Sequence, residues 1–294
     1  MKAAEIWRAL KLAIKSLPRL KQTVSQFASY LAAQRFLRSF QPKIRILFEK
    51  GNFIIKTVEG WDELEQVMRL RHEVFHCEFI GEPLPLPIDF DRFDPLGDHL
   101  VIVDKELGKI VGTYRLICSK FANKFYSASE FHLDRFLQEP GIKLELSRAC
   151  IHKDYRDGVV IALLWRGLVQ YIQQSQAAYL FGCASIRSME PAEVRTVYEF
   201  LAAKDFLSQD FGIGPVPAYE MPGWGSGPIE PKDTESAKAL IPPLLNAYLR
   251  AGAKVYGQPA LDEAFKCVDL FTVLKMNKLT PGFERRYQAN EPAQ

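Results

Sequence analysis

The chain has 294 residues, of which 48% are hydrophobic and 25% charged, and its net charge is +3. This is an ordinary globular composition, and the chain is long enough for a full core. Its five cysteines stand far apart without a CxxC pair, which argues against a zinc site and favours a reducing compartment. The longest uncharged run, 167–186, contains four glutamines, so we expect no membrane-spanning helix.

Positive charge is concentrated at the N-terminus. Residues 1–50 hold eleven Lys and Arg against two Glu, so this segment carries +9 and the remainder −6. Apolar residues from Ile6 to Leu31 recur at steps of three and four, which predicts an amphipathic helix divided by Pro18. Its apolar stretches are too short for a secretory signal. We interpret 1–42 as a basic helical segment that contacts an anionic membrane surface, docks on a protein or covers the core.

After Pro42 the pattern becomes mixed and predicts one α/β domain over residues 43–294. The expected strands are 44–48, 53–58, 99–104, 109–118, 143–151, 178–186, 254–256 and 268–275. The expected helices are 62–79 with Asp62 as N-cap, 127–137, one after residue 158, 191–207, 236–251 and a short one before the last strand. The glycine- and proline-rich stretch 212–231 is typical of a loop.

One strand–loop–helix unit is the most informative part of the sequence. Residues 144–158 read Leu-Glu-Leu-Ser-Arg-Ala-Cys-Ile-His-Lys-Asp-Tyr-Arg-Asp-Gly. Such a helix start presents backbone N–H groups and the positive end of the helix dipole to an anion, which suits a phosphate. An ordinary connection between a strand and a helix fits the same pattern. Cys150 and His152 are more typical of a core than of a nucleophile pair.

The loop in this unit resembles the motif with which GNAT acyltransferases hold a pyrophosphate or a phosphopantetheine arm. Here Arg156-Asp-Gly-Val-Val-Ile replaces the usual Arg/Gln-x-x-Gly-x-Gly/Ala. In lacking one of these glycines, the loop resembles the branch of the family that uses long acyl chains on acyl carrier protein. That branch includes the acyl-homoserine lactone synthases, whose hallmarks this chain resembles at Arg71 and Phe75 in Arg-Leu-Arg-His-Glu-Val-Phe, Asp89, Asp91 and Asp94, Arg115 in Gly-Thr-Tyr-Arg-Leu, and Glu145 and Arg148 in Glu-Leu-Ser-Arg.

A closer resemblance, over residues 53–279, is to the ornithine–acyl carrier protein N-acyltransferases. It is carried by Ser-Arg-Ala-Cys-Ile-His-Lys-Asp-Tyr-Arg-Asp-Gly, Leu-Leu-Trp-Arg-Gly, Tyr-Leu-Phe-Gly-Cys-Ala-Ser and the segment 241–262. The resemblance implies a GNAT-like central mixed β-sheet flanked by helices. It also implies transfer of a (3-hydroxy)fatty acyl group from acyl carrier protein to the α-amino group of an amino acid, L-ornithine, in ornithine lipid synthesis.

On this basis we expect acyl carrier protein and a small amino acid as partners, with the 4'-phosphopantetheine thioester as co-substrate. We expect no tightly bound cofactor, metal or nucleic acid. The expected location is the cytoplasm, peripheral on the inner face of the cytoplasmic membrane. Two alternatives remain: a signal synthase like the acyl-homoserine lactone synthases, and a non-catalytic GNAT-like protein that binds acyl chains or membranes.

The site residues divide into three groups. Glu145 is the predicted base and would act directly or through a water; alternatively, it is an ion-pair partner of Arg148 or Arg115. Backbone N–H groups of the strand at 148–150 could contact the thioester oxygen. The catalytic residues would be Glu145 and Arg148. The phosphopantetheine arm would lie on Arg156, Asp157, Gly158, Val159 and Val160. The substrate-binding residues would be Arg71, Phe75, Asp89, Asp91, Asp94 and Arg115. The aspartates would bind a cationic group or cap turns, and the arginines would bind a carboxylate or the carrier-protein surface.

Overall fold

The computed structural model describes residues 38–225 and 234–282. The predicted helix of the basic segment lies outside these ranges. Ten strands form one mixed sheet in the order β1-β2-β3-β4-β5-β6-β10-β8-β7, with β9 also paired to β10. The strands are β1 (Leu47–Lys50), β2 (Phe53–Thr57), β3 (Asp98–Asp104), β4 (Lys109–Cys118), β5 (Ile142–Ile151), β6 (Ala177–Ile186), β7 (Leu207–Ser208), β8 (Lys254–Tyr256), β9 (Ala260–Asp262) and β10 (Cys267–Lys275).

Helices flank both faces of this sheet, which confirms the expected α/β class. They are α1 (Trp61–Arg71), α2 (Asp134–Gln138), α3 (Val159–Ser175), α4 (Pro191–Ala203), α5 (Thr234–Leu240) and α6 (Pro243–Ala251). The chain continues from α1 in π-helical turns to Ile80. In the part of the chain described here, no helix is long and apolar enough to cross a bilayer.

Helix α3 forms the centre of the larger core. Its apolar residues recur at helical spacing, and Val160, Leu164 and Leu168 are fully buried against strands β2 to β5. The helix approaches the sheet closely because β4 carries a glycine at the contact. A Cβ at Gly112 would lie 2.7 Å from Val160 Cγ1.

Two expected helices are interrupted. The chain at 127–137 forms a 3-10 turn at Ser127–Ser129 and then α2, because Phe131 between them bridges in extended form to Pro215. The chain at 236–251 divides into α5 and α6, because Pro242 is extended, with φ −62° and ψ 148°. A proline cannot continue the hydrogen-bond ladder of a helix, which explains the break.

Three other expectations change at the ends of elements. Gly60, not Asp62, occupies the N-cap of α1, and Asp62 lies in the first turn, where its charge still favours the helix dipole. Helix α4 ends at Ala203 rather than at residue 207, since Asp205 has a φ of +57°. The expected short helix near the C-terminus is strand β9, which pairs with β10.

Strands β5 and β6 separate halfway along their length. They pair in parallel from Ile142↔Ala177 to Glu145↔Phe181, although each strand is ten residues long. Beyond this point, within the described ranges, β5 stays paired with β4 alone and β6 with β10 alone. The divergence opens a gap in the middle of the sheet.

Candidate active site

A cavity of about 940 Å³ lies in the gap between the diverging strands. The strand residues in its wall include 147–151 of β5 and 183–185 of β6. On the α3 side of the sheet the wall includes Trp165 and Tyr248, and on the opposite side it includes Tyr126. The cavity therefore reaches both faces of the sheet, so two reactants could enter from opposite sides and meet at the strands.

The α3 side of the cavity is mainly apolar. Its wall includes Leu146, Leu164, Trp165, Leu244 and Tyr248. A polar contact on this side joins the hydroxyls of Tyr114 and Tyr248 at 2.8 Å. Because apolar surface favours hydrocarbon, this side of the cavity suits an acyl chain.

Strand β5 bulges where it borders the gap. Ser147 stands opposite Arg115 and Cys150 opposite Thr113, so two residues of β5 face the single residue Tyr114 of β4. Arg148 in this bulge has a φ of +50°, in the left-handed region. A bulge interrupts the ladder and turns local backbone groups and a side chain away from the regular strand. It thus turns the Arg148 side chain towards the gap.

The predicted arginines and aspartates form one ion-pair network on the face opposite α3. The contacts are Arg71 Nε–Asp89 Oδ2 at 2.8 Å, Arg71 Nη1–Asp94 Oδ1 at 2.6 Å, Arg115 Nη1–Asp91 Oδ1 at 2.6 Å, Arg115 Nη1–Asp94 Oδ1 at 3.0 Å and Arg148 Nη2–Asp91 Oδ2 at 3.0 Å. Burial opposes ionisation of Asp94, yet its arginine partners outweigh burial and hold its pKa below the usual value. Each predicted aspartate therefore already has a cation.

Of these six residues, only Arg148 lies in the cavity wall. Its guanidinium carbon lies 4.6 Å from the ring centre of Tyr126 and 4.9 Å from that of Phe265. Aromatic rings and ion pairs together fix the planar group in one orientation. Phe75, which was also predicted for the substrate, lines the cavity as well.

Glu145 is fully buried and lies outside the cavity wall. Its Oε2 accepts a hydrogen bond from the Tyr126 N–H at 2.8 Å, and its Oε1 accepts one from the Ser127 N–H at 2.7 Å. Burial raises the pKa of Glu145, and these two hydrogen bonds oppose the rise. Among the described residues it forms no ion pair with Arg148 or Arg115. The predicted role as base gains no support from this geometry.

The predicted phosphate loop has the expected strand–loop–helix form. Helix α3 begins at Val159, and its N-cap Gly158 has a φ of +97°. Arg156 and Gly158 line the cavity, and Arg156 Nη2 contacts Glu78 Oε2 at 2.8 Å. Asp157 Oδ1 accepts from the Val159 N–H at 2.9 Å, so one N–H of the helix start is already engaged.

The side chains of two residues predicted for this loop, Val159 and Val160, lie outside the cavity wall. The side chain of Val160 lies in the core, so only its backbone N–H could contact a phosphate. The Val159 side chain is exposed and does not line the cavity.

Sequence reasoning missed a carboxylate cluster next to the cavity, which consists of Glu130, Asp262 and Asp269. Asp262 and Asp269 line the cavity together with Cys183, and Glu130 Oε2 accepts from Cys183 Sγ at 3.2 Å. Burial raises the pKa of Glu130 well above its usual value, and the neighbouring charge of Asp269 adds to this rise. Burial also raises the pKa of Asp269 to about 6, and the charge of Asp262 acts in the same direction. An acid within the mainly apolar strand β10 was the signal that could have revealed Asp269.

Two groups of side chains in this region could also hold a metal ion. Glu130, Cys183 and Asp269 form one group, and Asp262, Cys267 and Asp269 form the other. Within each group the ligand atoms lie within 4.8 Å of one another. Carboxylates and thiolates are metal ligands, but burial raises the pKa of Cys183 and of Cys267, which disfavours their thiolate forms.

The chain is similar to several known proteins. The model of the acetyltransferase (GNAT) domain matches residues 70–166. The chain is 30% identical over 275 residues to an L-ornithine N(alpha)-acyltransferase of Brucella abortus (strain 2308), covering 89% of this chain and 98% of that protein. It is 28% identical over 263 residues to the protein of the same name from Rhizobium meliloti (strain 1021), covering 85% and 88%. Among solved structures it matches the AHL synthase LasI with 11% identity and a TM-score of 0.46, over 83% of this chain and 99% of that one.

Proposed function

Because the chain belongs to the L-ornithine N(alpha)-acyltransferase family and is an acyltransferase, we propose that it moves a fatty acyl group from acyl carrier protein to the α-amino group of L-ornithine. The product would be an N-acylated ornithine, the first intermediate of an ornithine lipid. The observation that carries the proposal is the cavity at the β5–β6 divergence, which reaches both faces of the sheet and has Arg148 in its wall.

The donor would enter on the α3 side of the sheet. Beyond Glu145 the inner edge of β5 has no strand partner among the described residues, so its backbone groups can bind the amides of a pantetheine arm as an added strand would. The phosphate would lie near Arg156 and the start of α3. The apolar wall around Trp165 and Tyr248 would hold the fatty chain.

The acceptor would approach from the opposite face. Arg148 supplies a fixed positive group in the wall there, which suits the α-carboxylate of an amino acid. A free α-amine in this position faces the thioester carbonyl across the β5 bulge. Holding both reactants in this orientation accounts for much of the expected rate enhancement.

The reaction then replaces the C–S bond of the thioester with a C–N bond. The amine nitrogen attacks the thioester carbonyl carbon, the carbonyl oxygen becomes an oxyanion, and collapse of this intermediate breaks the C–S bond and releases the pantetheine thiolate. The proton lost by the amine balances the proton gained by the leaving thiolate. We expect backbone N–H groups at the bulge, from Arg148 to Cys150, to stabilise the oxyanion.

Glu145 takes a different role in this proposal from that of a base. Both of its oxygens hold the turn that begins at Tyr126, and the Tyr126 ring packs on Arg148. We therefore assign Glu145 as a positioning residue that acts through Tyr126 and Arg148. This assignment agrees with its place outside the cavity wall.

The test is direct. Purified protein is incubated with a fatty acyl–acyl carrier protein and isotope-labelled L-ornithine, and the products are examined by mass spectrometry. We expect an amide at the α-nitrogen, located by fragmentation. Arg69→Lys, which changes an arginine on the exposed face of α1, is the control variant and should retain full activity. If no acylated amine forms with any chain length offered, or if only S-adenosylmethionine is acylated, the proposal is wrong.

A further inference from the structure

Resting on the proposed acyl transfer to an amino acid, we infer that the carboxylate cluster of Glu130, Asp262 and Asp269 is a subsite that binds a second cationic amino group of the acceptor. The α-amino group is the nucleophile and must reach the thioester. A further ammonium on the acceptor side chain needs its own counter-charge, because a charge placed in a cavity without a partner costs free energy. Asp262 and Asp269 of the cluster lie in the cavity wall and can provide that charge.

The three carboxylates converge from different parts of the chain. Glu130 follows the 3-10 turn at Ser127–Ser129, Asp262 ends β9 and Asp269 lies in β10. Carboxylate oxygens of Glu130 and Asp269 lie within 4.8 Å of each other and of Cys183 Sγ. All three acids are at most 3% exposed.

The hydrogen bonds of these acids come from uncharged groups. Ser185 Oγ donates to Asp269 Oδ1 at 2.6 Å, and the N–H groups of Ala264 and Phe265 donate to Asp262 Oδ1. Glu130 Oε1 is buried without a hydrogen-bond partner. In the parts of the chain that the structure describes, no Lys, Arg or His forms an ion pair with any of the three acids. A buried acceptor oxygen without a donor points to a group that is supplied from outside.

The charge pattern of the cavity fits an amino acid with a basic side chain. Arg148 on β5 and Asp269 on β10 both line the cavity, and their charges attract each other across it. A ligand with a carboxylate at Arg148 and an ammonium at the carboxylate cluster would complement both ends. An ammonium has three donor hydrogens, which matches several converging carboxylate oxygens. Tyr126 and Phe265 also line the cavity and would pack against the methylene groups of such an amino acid.

The experiment compares two acceptors of the same carbon skeleton. L-ornithine has the second amine, and L-norvaline has a methyl group in its place. The variants are Asp269→Asn and Glu130→Gln, and the matched control is Asp205→Asn on an exposed turn, where asparagine tolerates the φ of +57°. The measured quantity is the ratio of kcat/KM for ornithine to that for norvaline, which cancels losses that affect both acceptors equally.

We expect the wild-type protein to prefer ornithine by about a hundredfold or more, because a subsite built for a polar group rejects an analogue that lacks it. Either cluster variant should reduce this ratio at least about tenfold, whereas Asp205→Asn should leave it unchanged. An unchanged ratio in both variants would overturn the inference. So would a divalent metal that copurifies with the protein and whose removal by a chelator abolishes the preference for ornithine, because the cluster would then be a metal site.

The proposed function can fail separately. If the protein acylates neither acceptor, the subsite is tested without turnover, by calorimetric titration of the full chain with each amino acid. Tighter binding of ornithine than of norvaline, lost in Asp269→Asn, supports the subsite. Equal binding of the two amino acids overturns it.

Discussion

The backbone N–H of Tyr126 donates a hydrogen bond of 2.8 Å to Glu145 Oε2, and this contact links a buried strand residue to the cavity. The Tyr126 ring in turn lies 4.6 Å from the guanidinium carbon of Arg148. The orientation of the one network arginine that lines the cavity therefore depends on a carboxylate outside the cavity wall. Both oxygens of Glu145 are engaged by backbone N–H groups, which suits a positioning role.

Glu145→Gln should lower both stability and turnover. An amide has one carbonyl oxygen, so it can accept only one of the two backbone N–H bonds and leaves the other donor buried. We expect a loss of about 1–3 kcal/mol in the free energy of unfolding, measured by urea denaturation. Glu106→Gln, at an exposed turn, serves as control and should change neither quantity.

The pH profile separates the two roles of Glu145. If Glu145 is a positioning residue, replacing it lowers kcat at every pH. The fall of kcat/KM towards acid pH should then remain in the variant. Disappearance of that limb in Glu145→Gln, with normal stability, would show that Glu145 is the base after all.

Arg148→Lys should lose most of the activity of the protein. The ammonium of lysine is a point charge and cannot at once stack between Tyr126 and Phe265 and pair with Asp91. We expect kcat/KM for the acceptor to fall by about two orders of magnitude, close to the effect of Arg148→Ala. Retention of more than half the wild-type value in Arg148→Lys would contradict this role.

Gly182→Ala should close the gap between the diverging strands or push them apart. A Cβ at Gly182 would lie 2.2 Å from the carbonyl oxygen of Leu146, directly after the last β5–β6 pair. Backbone must move to admit it, so we expect a loss of about 1–3 kcal/mol in stability and lower activity. Gly214→Ala, where a Cβ meets nothing within 4 Å, is the matched control. Equal melting temperatures for the two variants would argue against a tight approach at Gly182.

The stability of the protein should depend on the titration of Asp269. Burial raises its pKa from 3.8 to about 6, so the folded state binds a proton between these values that the unfolded state does not. This contribution stabilises the fold at the acid end of the window and is lost as the pH rises through 6. Between pH 4 and pH 6.5 the wild type should therefore lose about 1–3 kcal/mol of unfolding free energy relative to Asp269→Asn. A constant difference would exclude a raised pKa.

Deletion of residues 1–37 tests the proposed membrane contact of the basic segment. Phe40 is buried against the core and packs on His99, so the cut is placed before it. If the segment binds lipid, the truncated chain should stay in the supernatant after sedimentation with vesicles of anionic phospholipid, while the full chain sediments at low salt. The same distribution for both chains would remove the membrane role and favour docking on a protein or on the core.

The sequence by itself determined the elements and the order of the chemistry-bearing motifs. Short apolar runs in β3 and β4, helical spacing in α3 and the strand–loop–helix unit that ends at Gly158 are local patterns, and local patterns can be recognised without the fold. The arginines and aspartates were recognisable as a set because they belong to motifs that resemble those of known acyltransferases. The interrupted helices were harder to foresee, since a bridge such as Phe131 to Pro215 is set by distant residues.

Only the tertiary structure decided what each charged residue does. Glu145 and Asp269 are both acids in buried strands, and their neighbours along the chain do not show which groups either carboxylate contacts. Glu145 meets two backbone N–H groups of a turn, whereas Asp269 meets other carboxylates beside a cavity. The physical reason is that hydrogen-bond partners and burial come from residues far apart in sequence, and these set whether a carboxylate holds the fold or faces a ligand.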